Sequence, residues 1–193
     1  DPYLIWFIAE NPIRNDDLPA NIIAVAHAMI DHIDRLGPPS RQLQLDRTVE
    51  LVATGKVPRE AGVQLPLIDA LVARGAHPSG LDATVAHGET DAARRLIHHG
   101  APVSLLAAVC LGLDAEAKRL LPLSDEAARA SALVVAASLG RTAAVRFLLD
   151  AGVDPNVRSL RFHRHATALH EAALTGKEEL CLLLVNAGAS RSV

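Results

Sequence analysis

The sequence predicts an all-α fold in which short helical hairpins stack in a row, with little or no β-structure. Half of the 193 residues are hydrophobic, and alanine and leucine dominate this half, whereas aromatic residues make up only 3% of the chain. Glycines recur in pairs that lie 12 residues apart, at 88 and 100, 140 and 152, and 176 and 188. One thin hairpin cannot bury its own apolar face, so it needs similar neighbours.

The clearest hairpin is predicted for residues 166–190. Its first helix begins after Thr167, which can cap it, and ends at Gly176, while its second helix ends at Gly188. The predicted apolar faces follow helical spacing and consist of Leu169, Ala172 and Ala173 in the first helix, and Leu180, Leu183 and Leu184 in the second. Residues 131–157 repeat this arrangement, with Ser131, Gly140 and Gly152 at the corresponding positions.

These two segments resemble ankyrin repeats, whose pattern is T-P-L-H-x-A-A, a glycine, and an L-L-x-x-G-A-D-x-N ending. The matching residues are Thr167, Leu169, His170, Ala172 and Ala173 for the first half, and Leu148, Leu149, Gly152, Asp154 and Asn156 for the second. The resemblance implies a helical-hairpin solenoid and a protein-binding role, and it implies a structural hydrogen bond for His170. It does not name a partner.

The first half of the chain predicts two repeats with insertions. Residues 3–9 are expected to form the inner helix of an opening repeat that lacks part of its head, with Trp6 and Phe7 in the core. A loop at 10–21 and a helix at 22–33 follow. The second repeat is expected to have a helix at 42–54, a long loop at 56–66 and a helix at 67–74. The predicted face of the helix at 22–33 is Ile22, Val25, Ala26, Met29, Ile30 and Ile33.

The two early loops are similar to loops of bacterial ankyrin-repeat proteins. The matching positions are Asn11, Arg14 and Asn15, and Arg59, Glu60, Ala61, Gly62, Val63 and Gln64. We therefore expect a single ankyrin-repeat domain spanning residues 1–193, with irregular repeats at 1–37, 41–77, 78–102, 103–123, 129–157 and 165–193. The middle repeats should be bare helix pairs, whereas the last junction, 157–166, is longer and basic.

That last junction is the most charged candidate surface. It carries Arg158, Arg161, His163, Arg164 and His165, which could dock an acidic protein partner. The alternative is a solvated loop without a partner.

The early insertions supply a second candidate surface, formed by Arg14, Asp16 and Asp17 together with Arg59, Glu60 and Gln64. Their opposite charges could brace one loop against the other, or they could contact a partner. A further alternative is a polar pocket between residues 10–21 and 56–66 that would serve a small-molecule-binding protein or an enzyme.

Several function classes lack support in the sequence. A net charge of −3 gives no general attraction to nucleic acid, and the apolar run at 3–9 is too short to span a membrane. Two cysteines, Cys110 and Cys181, favour a reducing cytoplasmic setting over a disulfide framework. The nine histidines show no zinc-ligand spacing, and no phosphate-binding or nucleophile motif occurs, so neither a metal, a cofactor nor catalysis is expected.

The sequence therefore favours a non-catalytic protein-interaction module that uses the concave face of its inner helices and its projecting loops. Weak self-association through the exposed apolar end of the first repeat is an additional expectation.

Overall fold

The computed structural model describes residues 3–9, 18–162 and 165–190. These residues contain twelve α-helices, and their only β-type pairing is an isolated antiparallel bridge between Arg158 and Thr167. The all-α prediction is therefore confirmed. The contacts divide the chain into two compact units, Asp1–Pro102 and Val103–Val193.

The first unit begins with a 3₁₀ segment, Leu4–Ile8, and continues with α1 (Ile22–Leu36), α2 (Arg41–Thr54), α3 (Lys56–Glu60), α4 (Gln64–Ala73), α5 (Leu81–Ala86) and α6 (Thr90–His98). The second unit contains α7 (Leu105–Leu111), α8 (Asp114–Leu120), a 3₁₀ turn at Leu121–Leu123, α9 (Glu126–Ser138), α10 (Thr142–Asp150), α11 (Ala168–Leu174) and α12 (Glu178–Asn186).

The core of the first unit forms around α2, which contacts the 3₁₀ segment, α4 and α5. In the 3₁₀ segment Ile5 and Ile8 are buried, whereas Trp6 and Phe7 are only half-buried. The reason is geometric, because a 3₁₀ helix has three residues per turn and places residues i and i+3 on one face. The prediction that Trp6 and Phe7 lie in the core was therefore wrong in part.

The prediction of a long loop at 56–66 was also wrong, because residues 56–60 form α3 and α4 already begins at Gln64. Pro58 is compatible with α3 because it lies in the first turn, where a backbone N–H has no partner within the helix. Gly55 allows the sharp entry into α3, since a Cβ atom there would lie 2.7 Å from the carbonyl oxygen of Leu51.

The paired glycines end helices as predicted. Gly140 and Gly152 follow α9 and α10 with φ values of 66° and 83°, in the left-handed region that glycine adopts most easily. The pairs at 88 and 100 and at 176 and 188 also have positive φ. The spacing of these glycines therefore predicts the ends of six helices correctly.

Two helices in the second unit are buried on nearly all sides. Every residue of α7 is buried, and so are residues 130–137 of α9. α9 contacts α7, α10 and α11. Alanines at 132, 136 and 137 have no exposed surface, which lets the neighbouring backbones approach closely. α9 is thus the central helix of this unit, and its neighbours depend on contact with it.

The predicted apolar faces of the last hairpin need correction. In α11 the buried residues are Ala168, Glu171 and Ala172, while Leu169 is half-buried and Ala173 is exposed. In α12 Leu180 and Leu184 are buried, but Leu183 is only half-buried. The two predicted faces include positions that another hairpin would cover. In the described part of the chain no hairpin covers these positions.

Leu148→Ala tests the packing of the second unit, because the Leu148 side chain in α10 is completely buried. We expect the free energy of unfolding to fall by about 2–5 kcal/mol through lost apolar contact and the cavity left behind. Leu123→Ala is the matched control, since 74% of Leu123 is exposed and its truncation should cost almost nothing. Urea titration measures both variants, and equal losses would contradict the packing described.

Candidate functional site

We call the junction between α10 and α11, residues 157–166, the basic finger. Its two arms meet at the Arg158–Thr167 bridge, where the backbone N–H of Ser159 donates to the carbonyl of Ala166 at 3.3 Å. The buried Ser159 side chain also accepts a hydrogen bond of 3.0 Å from the backbone N–H of Phe162. The chain is therefore folded back on itself at the base of the finger.

The surface of the basic finger combines positive charge with an apolar side chain. Arg158, Arg161 and His165 are exposed, and Leu160 is 74% exposed between the two arginines. The Arg161 guanidinium carbon lies 5.2 Å from the centre of the Phe162 ring, which is within cation–π range. His163 and Arg164, which the sequence also predicted for this surface, lie outside the described residues.

Leu160 was missed as a candidate by the sequence analysis, which considered only charge. Two features of the sequence mark Leu160 as a candidate contact residue. It is an apolar residue between Arg158 and Arg161, and residues 155–170 include no acidic residue. An exposed leucine surrounded by cations is a suitable contact for a partner with acidic and apolar side chains.

The N-terminal arm of the basic finger is anchored by Asn156. Its side-chain amide donates to the carbonyl of Gly188 at 3.2 Å, and its side-chain oxygen accepts the backbone N–H of Ser190 at 2.7 Å. Asp154 holds the turn by accepting the backbone N–H of Asn156 at 2.9 Å. The D-x-N ending therefore joins the turn after α10 to the turn after α12.

The C-terminal arm leads into α11 through a helix cap. Thr167 Oγ1 accepts the backbone N–H of His170 at 3.4 Å and lies 2.8 Å from the Nδ1 atom of the same residue. The hydrogen bond implied for His170 by the resemblance is therefore present. Both arms of the basic finger are therefore hydrogen-bonded to the repeats at its base.

The residues of the second early insertion have different environments. Arg59 forms an ion pair with the buried carboxylate of Glu89, and Glu60 is exposed, with a carboxylate oxygen 3.8 Å from the ammonium nitrogen of Lys56. Gln64 is buried, and its amide donates to the carbonyls of Val52 and Ala53 at 3.2 and 3.1 Å, near the end of α2.

The Gln64 side chain, at the start of α4, therefore caps carbonyl groups at the end of α2, and its role in partner binding stays a prediction. Arg14, Asp16 and Asp17 of the first insertion lie outside the described residues. Bracing between the two insertions, and a pocket between them, remain predictions.

An ion-pair network that no sequence pattern indicated joins α1, α2 and the end of α4 in the first unit. Arg74 lies 2.5 Å from Asp31 and 3.0 Å from Asp34, and Arg41 also contacts Asp34 at 2.5 Å. The hydrogen bond from Arg41 lowers the pKa of Asp34 below its usual value, despite partial desolvation. Hydrogen bonds to Asp31 and Asp34 raise the pKa of Arg74.

The same pattern recurs between α4 and the end of α6. Asp69 lies 2.9 Å from Arg95 and 2.7 Å from the Nε2 atom of His99. In both places a carboxylate on one helix forms an ion pair with a cation from a later helix. Asp31 and Asp34 of α1 contact Arg74 directly after α4, and Asp69 of α4 contacts Arg95 in α6. We interpret these contacts as links between repeats, because each partner is held by a neighbouring repeat.

A third polar cluster joins α2 to the turn before α5. Asp46 accepts the backbone N–H of His77 at 2.7 Å, lies 3.0 Å from the His77 Nδ1 atom, and accepts the Gln42 amide at 2.8 Å. Partial burial acts to raise the pKa of Asp46, but the hydrogen bonds from His77 and Gln42 outweigh it and lower the pKa.

The first unit also contains an apolar groove of about 600 Å³ between the 3₁₀ segment, α1 and α2. Its lining includes Tyr3, Leu4, Val25, Met29 and Leu36, with Gln44 as a polar contributor. Val25 and Met29 belong to the predicted apolar face of α1 but are only half-buried, because they line this groove. Its position differs from the predicted pocket between 10–21 and 56–66.

Asp46→Asn tests the Asp46–His77 cluster. The pKa of Asp46 is lower in the folded state than in the unfolded state, so its carboxylate stabilises the fold. This stabilisation is fully present above the unfolded pKa of about 3.9. It is lost as the pH falls through the folded pKa. We expect the variant to lose about 1 kcal/mol at pH 7 and almost nothing once the wild-type carboxylate is protonated.

Denaturant titrations from pH 7 to pH 2.5 measure this difference. Asp150→Asn is the control, since Asp150 is exposed and its carboxylate has no hydrogen bond or ion pair within the described ranges. A loss that is equal at all pH values would contradict a role for the carboxylate charge.

Comparison with known protein families agrees with this architecture. The family described as ankyrin repeats, in three copies, matches residues 64–192, about two thirds of the chain. A search of curated proteins found no match. None of the helices described here is long and apolar enough to cross a bilayer. The helical hairpins, their glycine ends and the family match lead to one conclusion: the chain belongs to the ankyrin-repeat family.

Proposed function

We propose that this protein is a protein-interaction module whose main contact surface is the basic finger. Ankyrin repeats generally mediate protein–protein interaction. The observation that carries the proposal is the exposed set of Arg158, Leu160 and Arg161 on a turn whose two arms are both anchored. Hydrogen bonds that hold the two arms reduce the conformational entropy lost on binding, which supports this turn as an anchor for a partner.

The proposed partner presents an acidic segment with at least one apolar side chain. Arginine can form two parallel hydrogen bonds to a carboxylate, and Leu160 offers an apolar contact beside the two guanidinium groups. His163, Arg164 and His165 extend the basic stretch in the sequence. The charge pattern favours a protein partner over nucleic acid, since the chain as a whole carries a net charge of −3.

Burial of two helices in the second unit supports the choice of the basic finger over the concave face. All of α7 and the middle of α9 are buried, so a partner in the second unit has access mainly to the first turn of α9 and to α11. Glu126 and Ala127 are exposed at the start of α9. We therefore assign the concave face a supporting role next to the basic finger.

The proposal includes no catalytic step. The family is typically non-enzymatic. In the part of the chain that the structure describes, no group of three His, Cys, Asp or Glu residues could hold a metal ion. Neither Cys110 nor Cys181 forms a disulfide, which fits the reducing cytoplasmic setting that we propose.

The apolar groove of the first unit supports a second candidate function, the binding of a small apolar molecule. Its volume of about 600 Å³ falls within the range of ligand sites, and Met29 is an adaptable side chain in its lining. Native mass spectrometry of the purified protein would reveal a retained small molecule and would favour this candidate.

A triple variant with Arg158→Ala, Arg161→Ala and Arg164→Ala tests the main proposal. A partner would first be identified by mass spectrometry of proteins that co-purify with the chain, and its affinity then measured by calorimetry. We expect the dissociation constant to increase at least tenfold and the salt dependence of binding to weaken, because three cations are removed.

The matched control carries Arg35→Ala, Arg119→Ala and Arg146→Ala, three exposed arginines outside the basic finger. It removes the same net charge and should bind the partner almost as well as the wild type. Equal losses of affinity in the two triple variants would show that binding depends on the overall charge of the chain. The basic finger would then not be the binding surface.

A further inference from the structure

The first arm of the basic finger has an open backbone edge at Arg158. The bridge between Arg158 and Thr167 is formed by their neighbours, since the backbone N–H of Ser159 donates to the carbonyl of Ala166. In an antiparallel pair of this kind, the N–H and carbonyl of the bridged residue point away from the opposite arm. Those of Arg158 have no hydrogen-bond partner among the residues described here. Arg158 therefore offers a main-chain donor and a main-chain acceptor to the outside of the finger.

Side-chain exposure alternates along this arm as it does along a half-buried strand. Arg158 is exposed, Ser159 is buried and Leu160 is exposed again, so the two exposed side chains share one face. The N–H and carbonyl of Leu160 also lack a partner within the described ranges. The chain bends at 160–162, so the strand-like part is short. We call residues 158–160 the open edge.

The preceding junction does not pair with the open edge. It lies between α8 and α9 and forms a 3₁₀ turn at Leu121–Leu123, and no backbone hydrogen bond joins it to residues 158–160 in the described part of the chain. Unpaired N–H and carbonyl groups at an exposed edge are a template for pairing with an extended segment of another chain. In such pairing, main-chain hydrogen bonds give affinity and alternate side chains give specificity.

The side chains of the open edge determine which segment fits. Residues 155–170 include no acidic side chain, so nothing nearby in the sequence neutralises Arg158. A carboxylate opposite Arg158 gains a charge-assisted hydrogen bond, and an apolar side chain opposite Leu160 covers a leucine that is 74% exposed. Residues two apart in a strand lie on one face, so the matching segment has an acidic and an apolar residue at this spacing.

We propose that the partner binds the open edge as an extended segment whose backbone pairs with Arg158 and Leu160. The segment carries an acidic residue opposite Arg158 and an apolar residue two positions away, opposite Leu160. This inference rests on the proposed role of the basic finger in protein binding, and it adds the conformation and residue spacing of the bound segment. A helix of equal charge does not fit, because its N–H and carbonyl groups are already paired within the helix.

N-methyl scanning of a peptide tests backbone pairing without a change in the protein. The probe is a short acetylated and amidated peptide in which glutamate alternates with threonine and one leucine replaces a central glutamate. NMR titration of the wild-type chain measures its dissociation constant. We expect methyl groups on alternate nitrogens to raise this constant at least fivefold and those on the nitrogens between them to leave it within twofold, because alternate N–H groups of a strand face the same neighbour.

Two substitutions at one position separate the backbone from the charge. Arg158→Ala removes the guanidinium group, whereas Arg158→Pro removes the guanidinium group and also the outward N–H. We expect Arg158→Pro to bind the probe at least threefold more weakly than Arg158→Ala, because it also loses a main-chain hydrogen bond. Residue 158 is exposed and lies outside the helices, so both variants should keep the wild-type circular dichroism spectrum.

The outcomes separate this inference from the proposed function. Methyl groups that act equally at all positions, equal affinities of Arg158→Ala and Arg158→Pro, or no binding of the unmethylated probe at millimolar concentration would each overturn backbone pairing. Failure of the proposed function appears elsewhere, as an unchanged affinity of the triple arginine variant for the co-purified partner.

Discussion

Apolar contact between neighbouring helical hairpins is the constraint on which the rest of this structure depends. No hairpin is thick enough to bury its own apolar residues, so every helix pair needs another pair beside it. In the second unit α9 supplies most of this contact, because it packs against α7, α10 and α11 and exposes almost nothing in its centre. The ion pairs of the first unit lie near the surface and add links between repeats, but exposed pairs contribute little free energy.

Much of the fold could be predicted because its signals are local. Glycine at a fixed spacing marks where a helix must end, and the leucines between two glycines show helical spacing over a few residues. The helix at 42–54 was therefore placed to within one residue of α2. The residues at 56–66 were mistaken for a loop, because Pro58 and Gly62 are turn signals when the packing of α3 against α4 is unknown.

The polar contacts could not be predicted because they join residues far apart in the chain. Arg74 and Asp31 are separated by 43 positions, and nothing in either local sequence indicates that they meet. The same limit applies to Glu89, because Arg59 was considered for bracing between the early loops, for a partner contact or for a pocket, and not for an ion pair with Glu89. By contrast, the charges of the basic finger are contiguous in the sequence, so this surface could be predicted, whereas the exposure of Leu160 could not. Charge that clusters in sequence is therefore predictable, whereas charge that clusters through folding is not.

Amide hydrogen exchange on the wild type and on Leu133→Ala tests the dependence on neighbouring hairpins most directly. Leu133 is completely buried in α9 and is remote from the basic finger in sequence. If hairpins stabilise one another, exchange in the variant accelerates in α7, α10 and α11 as well as in α9, because local opening of one repeat exposes the next. Acceleration confined to α9, with unchanged protection of α7 and α11, would contradict this account.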